Sequence, residues 1–128
     1  MTTTCPCNPN KLFSECCQPL LIKQRVAKTP VQLMRSRYSA YALGGYGEYL
    51  LETWLPSDAS NLTAVDLSVR SFDWQGLTIL RKSQQGDVGQ VEFQARFVEH
   101  QGQQSVHHEK SLFRRIAGRW YYAGVAET

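Results

Sequence analysis

Residues 5–17 read Cys-Pro-Cys-Asn-Pro-Asn-Lys-Leu-Phe-Ser-Glu-Cys-Cys, and this cysteine stretch contains all four cysteines of the chain. Four thiols so close together can form two disulfides, remain reduced in a core, or bind a metal ion. Thiolates within tetrahedral reach suit Zn²⁺, and a shell of four sulfurs leaves no position for a reactive water. The stretch therefore predicts a structural zinc site at Cys5, Cys7, Cys16 and Cys17, with replacement of one cysteine by a histidine left open.

The disulfide alternative depends on the cellular compartment. Met1-Thr2-Thr3-Thr4 lacks the basic and apolar segments of a secretory leader, so we expect a cytoplasmic protein, in which thiols stay reduced. A bond between the adjacent Cys16 and Cys17 would also close a strained ring in the backbone. Other pairings stay open in an oxidising environment, and zinc is the favoured interpretation.

The residues between the two cysteine pairs predict a short helix over Lys11–Cys17. Asn8 would cap a helical turn, and Pro9 would occupy its first position, where a missing N–H costs nothing. A lobe of this size cannot bury enough surface to fold alone, so metal binding would supply its folding free energy.

The rest of the chain predicts helices first. Thr29-Pro30 is typical of a helix start, and the spacing of apolar residues predicts a helix over Val31–Leu43. Two further helices are predicted over Tyr46–Trp54 and Leu62–Phe72. Alternating apolar residues in the last of these segments also fit a strand.

From Trp74 onward apolar and polar residues alternate, which is the period of a β-strand, most clearly over Val91–Phe97. Turn residues at Gln84–Asp87, His100–Gln104 and Ala117-Gly118 separate four predicted strands. Helices followed by hairpin-connected strands predict an α+β domain, with a four-stranded antiparallel sheet and helices on one face.

The charge of the chain is small. Its 128 residues carry a formal charge of +3, and four thiolates with one Zn²⁺ would add −2, leaving +1. This balance offers no electrostatic reason to expect nucleic acid, and no apolar run approaches the roughly 18 residues that a bilayer requires. Basic residues do gather near the third strand, where a solvated face is the favoured interpretation: Lys110, Arg114, Arg115 and Arg119.

The cysteine stretch resembles the SEC-C motif, a small zinc knuckle with a Cys-x-Cys start and a Cys-Cys or Cys-His end. This motif is best known from the tail of the bacterial preprotein translocase ATPase, where it contacts an export chaperone and the ribosome. Members usually have Gly-Ser-Gly after the second cysteine, whereas this chain has Asn8-Pro9-Asn10. The resemblance implies zinc-dependent docking to a protein partner and implies no catalysis.

The order of helices and strands is similar to the NTF2-like cone, in which a curved sheet wraps the first helix and leaves a pocket at its wide end. The whole pattern from Cys5 to Gly124 resembles the YchJ family of small bacterial proteins. This resemblance implies a zinc knuckle over residues 1–24 and an NTF2-like domain over residues 25–128. Because NTF2-like domains often pair through their sheets, the similarity to that fold also implies a homodimer. The segments that carry it most clearly are Met34-Arg35-Ser36-Arg37-Tyr38-Ser39-Ala40-Tyr41-Ala42-Leu43-Gly44, His108-Glu109-Lys110-Ser111-Leu112-Phe113 and Gly118-Arg119-Trp120-Tyr121-Tyr122.

Five residues are candidates for binding a ligand in such a cone: Arg35, Tyr38, Trp54, Arg96 and Glu109. Arginine donates to carboxylates and phosphates, and aromatic residues can line an apolar cavity. The favoured alternative is structural, with the arginines paired to acids such as Glu92 and the aromatic residues in the core. His108 and Glu109 could form a general acid–base pair. Neighbours on a strand point to opposite faces, however, and this geometry counts against such a pair.

These observations favour a zinc-binding protein that acts as a binding or adaptor module. The sequence has no Ser-His-Asp order, Gly-rich phosphate loop or carboxylate pair at metal-ligand spacing, and so it leans against an enzyme. A small-molecule-binding protein or enzyme that uses the pocket is the alternative. Association with RNA or the ribosome is a weaker hypothesis.

Overall fold

The amino-terminal residues fold as a hairpin followed by two short turns. The structure is a computed structural model that describes residues 3–56, 61–69, 72–99 and 101–126. Strands β1 (Thr4–Cys5) and β2 (Asn8–Leu12) form the hairpin, and a 3₁₀ turn (Phe13–Glu15) and the one-turn helix α1 (Gln18–Leu21) follow. This arrangement brings both ends of the cysteine stretch together.

The helix predicted over Lys11–Cys17 is wrong. Asn8 caps no helix, because its Oδ1 atom accepts a hydrogen bond from the backbone N of Asn10 at 2.9 Å within an extended strand. The strand register pairs Asn8 with Cys5 across the hairpin. Pairing with β1 satisfies backbone groups that a helix would have used, and local propensity does not report such a partner.

Helix α2 (Pro30–Leu43) lies where the sequence predicts a helix. The Oγ1 atom of Thr29 accepts a hydrogen bond from the backbone N of Gln32 at 3.1 Å, which satisfies one free donor of the first turn. At the other end Gly44 adopts a φ of 74°, a conformation that favours glycine. Both ends of α2 are therefore encoded locally.

The next two helices, α3 (Gly47–Glu52) and α4 (Ala64–Leu67), are shorter than predicted. Val65 and Val69 in the α4 region are 77% and 61% exposed. This segment buries too little apolar surface to stabilise further helical turns. Residues 57–60, between the second and third of these predicted helices, and residues 70 and 71 of the third lie outside the described ranges.

Four strands form one antiparallel sheet: β3 (Asp73–Gln85), β4 (Val88–Val98), β5 (Gln104–Ile116) and β6 (Arg119–Val125). The connection between β5 and β6 is Ala117-Gly118, with φ values of 52° and 82°. Two positive φ values are characteristic of the tight turn whose twist matches a hairpin. The predicted α+β architecture with a four-stranded antiparallel sheet is confirmed.

Helix α2 packs on the inner face of this sheet. Alternate residues of β4 and β5 point toward the helix, and Val91, Phe93 and Phe113 are at most 5% exposed. At the start of α2 the two layers come very close, because a Cβ atom at Gly89 would collide with the Pro30 ring. Helix α2 is therefore enclosed between the sheet and the segments that precede and follow it.

The cysteine stretch belongs to the same core as the sheet. Cys5, Cys7 and Cys17 are each 2% exposed, and they pack in one cluster with buried residues of α1 and α2. Burial of Leu20 and Leu21 in α1 joins this region to the body. The amino-terminal segment is therefore a part of the fold that packs against α2.

The segment after α3 pairs with the edge strand β6. Trp54 forms an isolated parallel bridge with Tyr122, whose backbone N donates to the carbonyl oxygen of Thr53 at 2.7 Å. In return the backbone N of Leu55 donates to the carbonyl oxygen of Tyr122 at 2.8 Å. Part of the exposed sheet edge is thereby covered.

Among the described residues, no helix has the length and apolar character needed to cross a bilayer.

We expect Phe113→Ala to lower the free energy of unfolding by about 3–5 kcal/mol, because Phe113 is fully buried and its removal leaves a cavity. Urea denaturation measures this loss. Ile116→Ala on the same strand is the control, since Ile116 is 50% exposed, and its effect should stay within about 0.5 kcal/mol. Equal losses for the two variants would contradict the described core.

Candidate metal centre and cavity

The four cysteine sulfurs converge on one point of the structure. The Sγ atom of Cys7 lies 3.5 Å from the Sγ atoms of Cys16 and Cys17 and 3.6 Å from that of Cys5. The Sγ atoms of Cys16 and Cys17 are 3.9 Å apart, and all four sulfurs lie within 4.8 Å of one another. The hairpin supplies one pair of thiols, and the 3₁₀ turn followed by the start of α1 supplies the other.

These distances fit a tetrahedral metal shell better than disulfides. A Zn–S bond of about 2.3 Å places the sulfurs of a regular tetrahedron about 3.8 Å apart. A disulfide would require two sulfurs at about 2 Å, and all four cysteines are free thiols. The cluster could therefore hold one metal ion, and its all-sulfur donor set suits a soft or borderline cation.

Two side chains of helix α2 contact the cysteine cluster. The Oγ atom of Ser39, a residue with no exposed surface, lies 3.6 Å from the Sγ atom of Cys5. The Nη1 atom of Arg35 donates to the carbonyl oxygen of Cys7 at 3.0 Å. Arg35, predicted as a ligand-binding residue of the cone, thus contacts the backbone of the cysteine stretch. Contacts of this kind orient metal ligands.

The pKa values of two of the cysteine thiols, Cys5 and Cys17, are shifted in opposite directions. Hydrogen bonding to Cys17 and Cys7 lowers the pKa of Cys5, whereas hydrogen bonding to Cys5 and Cys7, together with burial, raises the pKa of Cys17. Of these two thiols, Cys5 is therefore the one that ionises more readily. A divalent cation would replace the remaining protons, so metal binding and acid compete for the same sulfurs.

A cavity of about 490 Å³ lies between α2 and the inner face of the sheet. Three of the predicted ligand-binding residues, Tyr38, Trp54 and Glu109, line it. Its walls are mainly aromatic: Tyr38, Tyr41, Trp54, Phe72, Trp74, Phe93, Phe97 and Tyr122. A concave, mostly apolar site with a few polar groups is typical of small-molecule pockets.

Glu109 is the carboxylate in the cavity wall. Its Oε2 atom accepts hydrogen bonds from the Ser111 hydroxyl at 2.6 Å and the Tyr122 hydroxyl at 2.8 Å. Its Oε1 atom lies 2.9 Å from the Nε2 atom of His107. Burial opposes ionisation of Glu109, but these three neighbours outweigh it and lower its pKa. At neutral pH Glu109 therefore places a carboxylate in the cavity wall.

Arg37 is the buried cation of the same cavity. Its Nη1 atom donates to the carbonyl oxygen of Leu50 at 2.8 Å and to the Oγ1 atom of Thr53 at 2.7 Å. Its guanidinium carbon lies 4.9 Å from the centre of the Trp54 ring and 4.7 Å from that of Tyr122. Burial lowers the pKa of Arg37, although an arginine stays charged at neutral pH.

The phenols in the cavity act as neutral hydrogen-bonding groups. Burial raises the pKa of Tyr38 to about 12, and burial together with Glu109 raises the pKa of Tyr122. Both hydroxyl groups therefore keep their protons at neutral pH. The Tyr122 proton is committed to Glu109.

Arg96 lies outside the cavity. It is exposed on the opposite face of the sheet from its neighbour Phe97, and its Nη1 atom donates to the Thr78 hydroxyl at 2.9 Å. His108 also faces outward, with its Nε2 atom 2.6 Å from the Oε2 atom of Glu92. The prediction that His108 and Glu109 point to opposite faces is confirmed.

Within the described residues, no ion pair joins Arg35, Arg37 or Arg96 to an acid, so the expected pairing of arginines with structural acids is not found. Each donates instead to a carbonyl or hydroxyl oxygen. The acceptors lie in segments remote in sequence, namely the carbonyl groups of Cys7 and Leu50 and the hydroxyl group of Thr78, and they satisfy a guanidinium without a second charge. Glu92 pairs with His108.

His107, Ser111 and Tyr122 are cavity residues that the sequence analysis did not select. The sequence contained a signal for two of them. His107 and Ser111 lie two residues on either side of Glu109, and so they share its face of the strand. Arg37 was likewise not selected. Its spacing of three from Met34 places it on the buried side of α2.

Comparisons with known proteins match both parts of the chain. A family profile described as "YchJ, middle NTF2-like domain" matches residues 29–124. A UPF0225 protein from Sodalis glossinidius is 39% identical over 127 residues, covering 95% of this chain and 82% of that protein. A UPF0225 protein from Geobacter sulfurreducens is 38% identical, covering 95% of this chain and 78% of that protein.

A solved structure resembles the whole chain. The solution structure of a SEC-C motif containing protein from Rhodopseudomonas palustris has a TM-score of 0.88 and 38% sequence identity. The similarity covers 98% of this chain and 99% of that chain. The predicted NTF2-like fold with an amino-terminal cysteine cluster of the SEC-C kind is confirmed.

We expect Glu109→Gln to destabilise the protein at neutral pH but not at low pH. A carboxyl whose folded pKa is lowered contributes stability above its unfolded pKa, roughly 4.3, and loses that contribution as the pH falls through the lower folded pKa. Thermal unfolding of both proteins between pH 7 and pH 3 measures the difference. Glu48→Gln, on a side chain that is 80% exposed, is the control and should show a smaller pH dependence. A constant difference across this range would contradict the assigned network.

Proposed function

The chain belongs to the YchJ (UPF0225) family, and on that premise we propose that it is a zinc-binding protein whose metal fastens the cysteine stretch to an NTF2-like binding module. The observation that carries this proposal is the spacing of the four sulfurs, 3.5–3.9 Å for the close pairs. This spacing is close to the edge of a zinc–thiolate tetrahedron.

The proposed zinc ion has a structural role. When bound, Zn²⁺ would neutralise thiolate charge and cross-link residues that are far apart along the stretch. Cys5, Cys7 and Cys17 are nearly inaccessible, which supports a closed site without a position for substrate. Ser39 would hold Cys5 in place, and Arg35 would hold the backbone at Cys7.

A second candidate function is the binding of a small molecule in the cavity. The supporting observation is a cavity of about 490 Å³ that contains Glu109 among aromatic side chains. Cavities of this size commonly enclose organic ligands. The proposal is one of binding, and the residues named here serve recognition rather than a reaction.

Docking to a protein partner through the cysteine stretch stays a prediction from the SEC-C resemblance. Pairing into a homodimer also stays a prediction. So does contact with RNA, which would use the basic residues Lys110, Arg114, Arg115 and Arg119. In the structure Arg115 is engaged with Asp87, since its Nε atom lies 2.7 Å from the Oδ1 atom of that residue. This pair reduces the free positive charge on that strand.

We expect freshly purified, reduced protein to contain one zinc ion per chain, measured by elemental analysis. Cys17→Ser should abolish tight zinc binding and loosen the amino-terminal segment, because it removes one of four ligands. Backbone NMR shifts of residues 3–22 would report that loosening. The control is Ser14→Ala, an exposed position in the same stretch, which should retain the metal. Absence of any tightly held metal from the unaltered protein would disprove the proposal.

Zinc-dependent docking predicts that a chelator strong enough to remove the ion reduces partner recovery in a pull-down with the full chain. Cys17→Ser should reduce it equally, because both treatments remove the same cross-link. Ser14→Ala is again the control. Recovery that is unchanged after demonstrated metal loss would contradict the adaptor role without affecting the zinc proposal.

A further inference from the structure

The cavity has one accessible charge and one sequestered charge. The Glu109 side chain is 13% exposed and lies in the cavity wall. Arg37 retains only 4% of its surface, and its Nη1 atom is committed to Leu50 and Thr53. Its guanidinium also packs against the rings of Trp54 and Tyr122. A molecule that enters the cavity therefore meets the carboxylate more directly than the guanidinium.

Glu109 retains an unused acceptor position. A carboxylate oxygen can accept two hydrogen bonds, and Oε2 already accepts from Ser111 and Tyr122. Within the described part of the chain, Oε1 has one such neighbour, the Nε2 atom of His107. One acceptor position on Oε1 is therefore left for a donor from outside the protein.

The walls around this carboxylate favour an apolar body. Trp74 and Phe97 lie with their ring centres 5.1 Å apart, and Tyr38 approaches Trp74 at 6.0 Å. Flat apolar groups pack well on such rings. The electron-rich faces of the rings also attract cations. The cavity thus combines aromatic surface with a single ionised acceptor.

We propose that this cavity binds an organic amine, with an aromatic or other apolar body against the rings and an ammonium group that donates to Oε1 of Glu109. The proposal deepens the candidate small-molecule function and rests on it. Of the three charge classes of ligand, an acid would meet the Glu109 carboxylate, and a neutral donor would pair the free acceptor without opposing its charge. Only the amine both donates to the acceptor and brings an opposite charge to it, in addition to that of the buried Arg37.

The test uses three probes with the same indole body and different charges: tryptamine, 3-ethylindole and indole-3-propionate. Each is titrated at pH 7.5 into the isotopically labelled full chain, and affinities and binding positions are read from backbone and side-chain NMR shifts. We expect tryptamine to bind at least tenfold more tightly than 3-ethylindole, and the acid to bind most weakly. Shifts should centre on the cavity residues Trp74, Phe93 and Phe97.

Two carboxylate variants identify the group responsible. Glu109→Gln should reduce tryptamine affinity at least tenfold and leave 3-ethylindole unchanged, because the amide loses the negative charge and one of the two acceptor oxygens. Glu92→Gln makes the same change on the outer face of the sheet, where Glu92 pairs with His108, and should leave both affinities unchanged. If Glu109→Gln fails to fold, the ranking of the three probes on the unaltered protein still decides.

The outcomes separate the two proposals. Similar binding of all three probes in the cavity, or tighter binding of the acid, would overturn the amine assignment and leave the small-molecule function standing. Shifts in the cavity from none of the probes would overturn both. Tight tryptamine binding that survives Glu109→Gln would also overturn the assignment of Glu109.

Discussion

The enclosure of helix α2 by the sheet and the amino-terminal segment is the constraint on which the rest of the structure depends. Ser36, Ser39 and Ala40 have no exposed surface, which shows how closely the neighbouring elements approach the helix. Small side chains permit that approach, as they do wherever backbones pack at short range. One helix thereby supports the sulfur cluster through Ser39 and the cavity through Arg37.

Polar groups inside this enclosure are satisfied locally. The Ser36 hydroxyl lies 2.8 Å from the carbonyl oxygen of Leu33 and 2.6 Å from the Tyr49 hydroxyl. Arg37 and Glu109 likewise have several polar neighbours each. Among the described residues, no buried side-chain nitrogen or oxygen lacks a hydrogen-bond partner. A buried charge is costly when unpaired, so these networks specify one arrangement of α2, α3 and the sheet.

Much of the fold and part of the candidate site could be predicted from local patterns. The alternation over Val91–Phe97 predicted a half-buried strand, and Thr29-Pro30 predicted the start of α2. Alternation along β5 likewise places Glu109 and His108 on opposite faces of the sheet. Patterns failed where packing between elements decides: Lys11 and Leu12 of the predicted helix belong to β2, which pairs with β1, and α4 is short because it lacks apolar contacts.

The sequence by itself determined the four thiols and their spacing, the ends of α2 and the strand periodicity, because each depends on residues a few positions apart. Tertiary structure decided the convergence of the sulfurs on one point, the burial of Arg37 and the enclosure of Glu109. It also decided that Arg35 donates to the carbonyl oxygen of Cys7 and that Arg96 lies on the outer face of the sheet, where it donates to Thr78. These outcomes depend on which remote backbone and side-chain groups meet each residue after the layers pack, and that information is absent from local spacing.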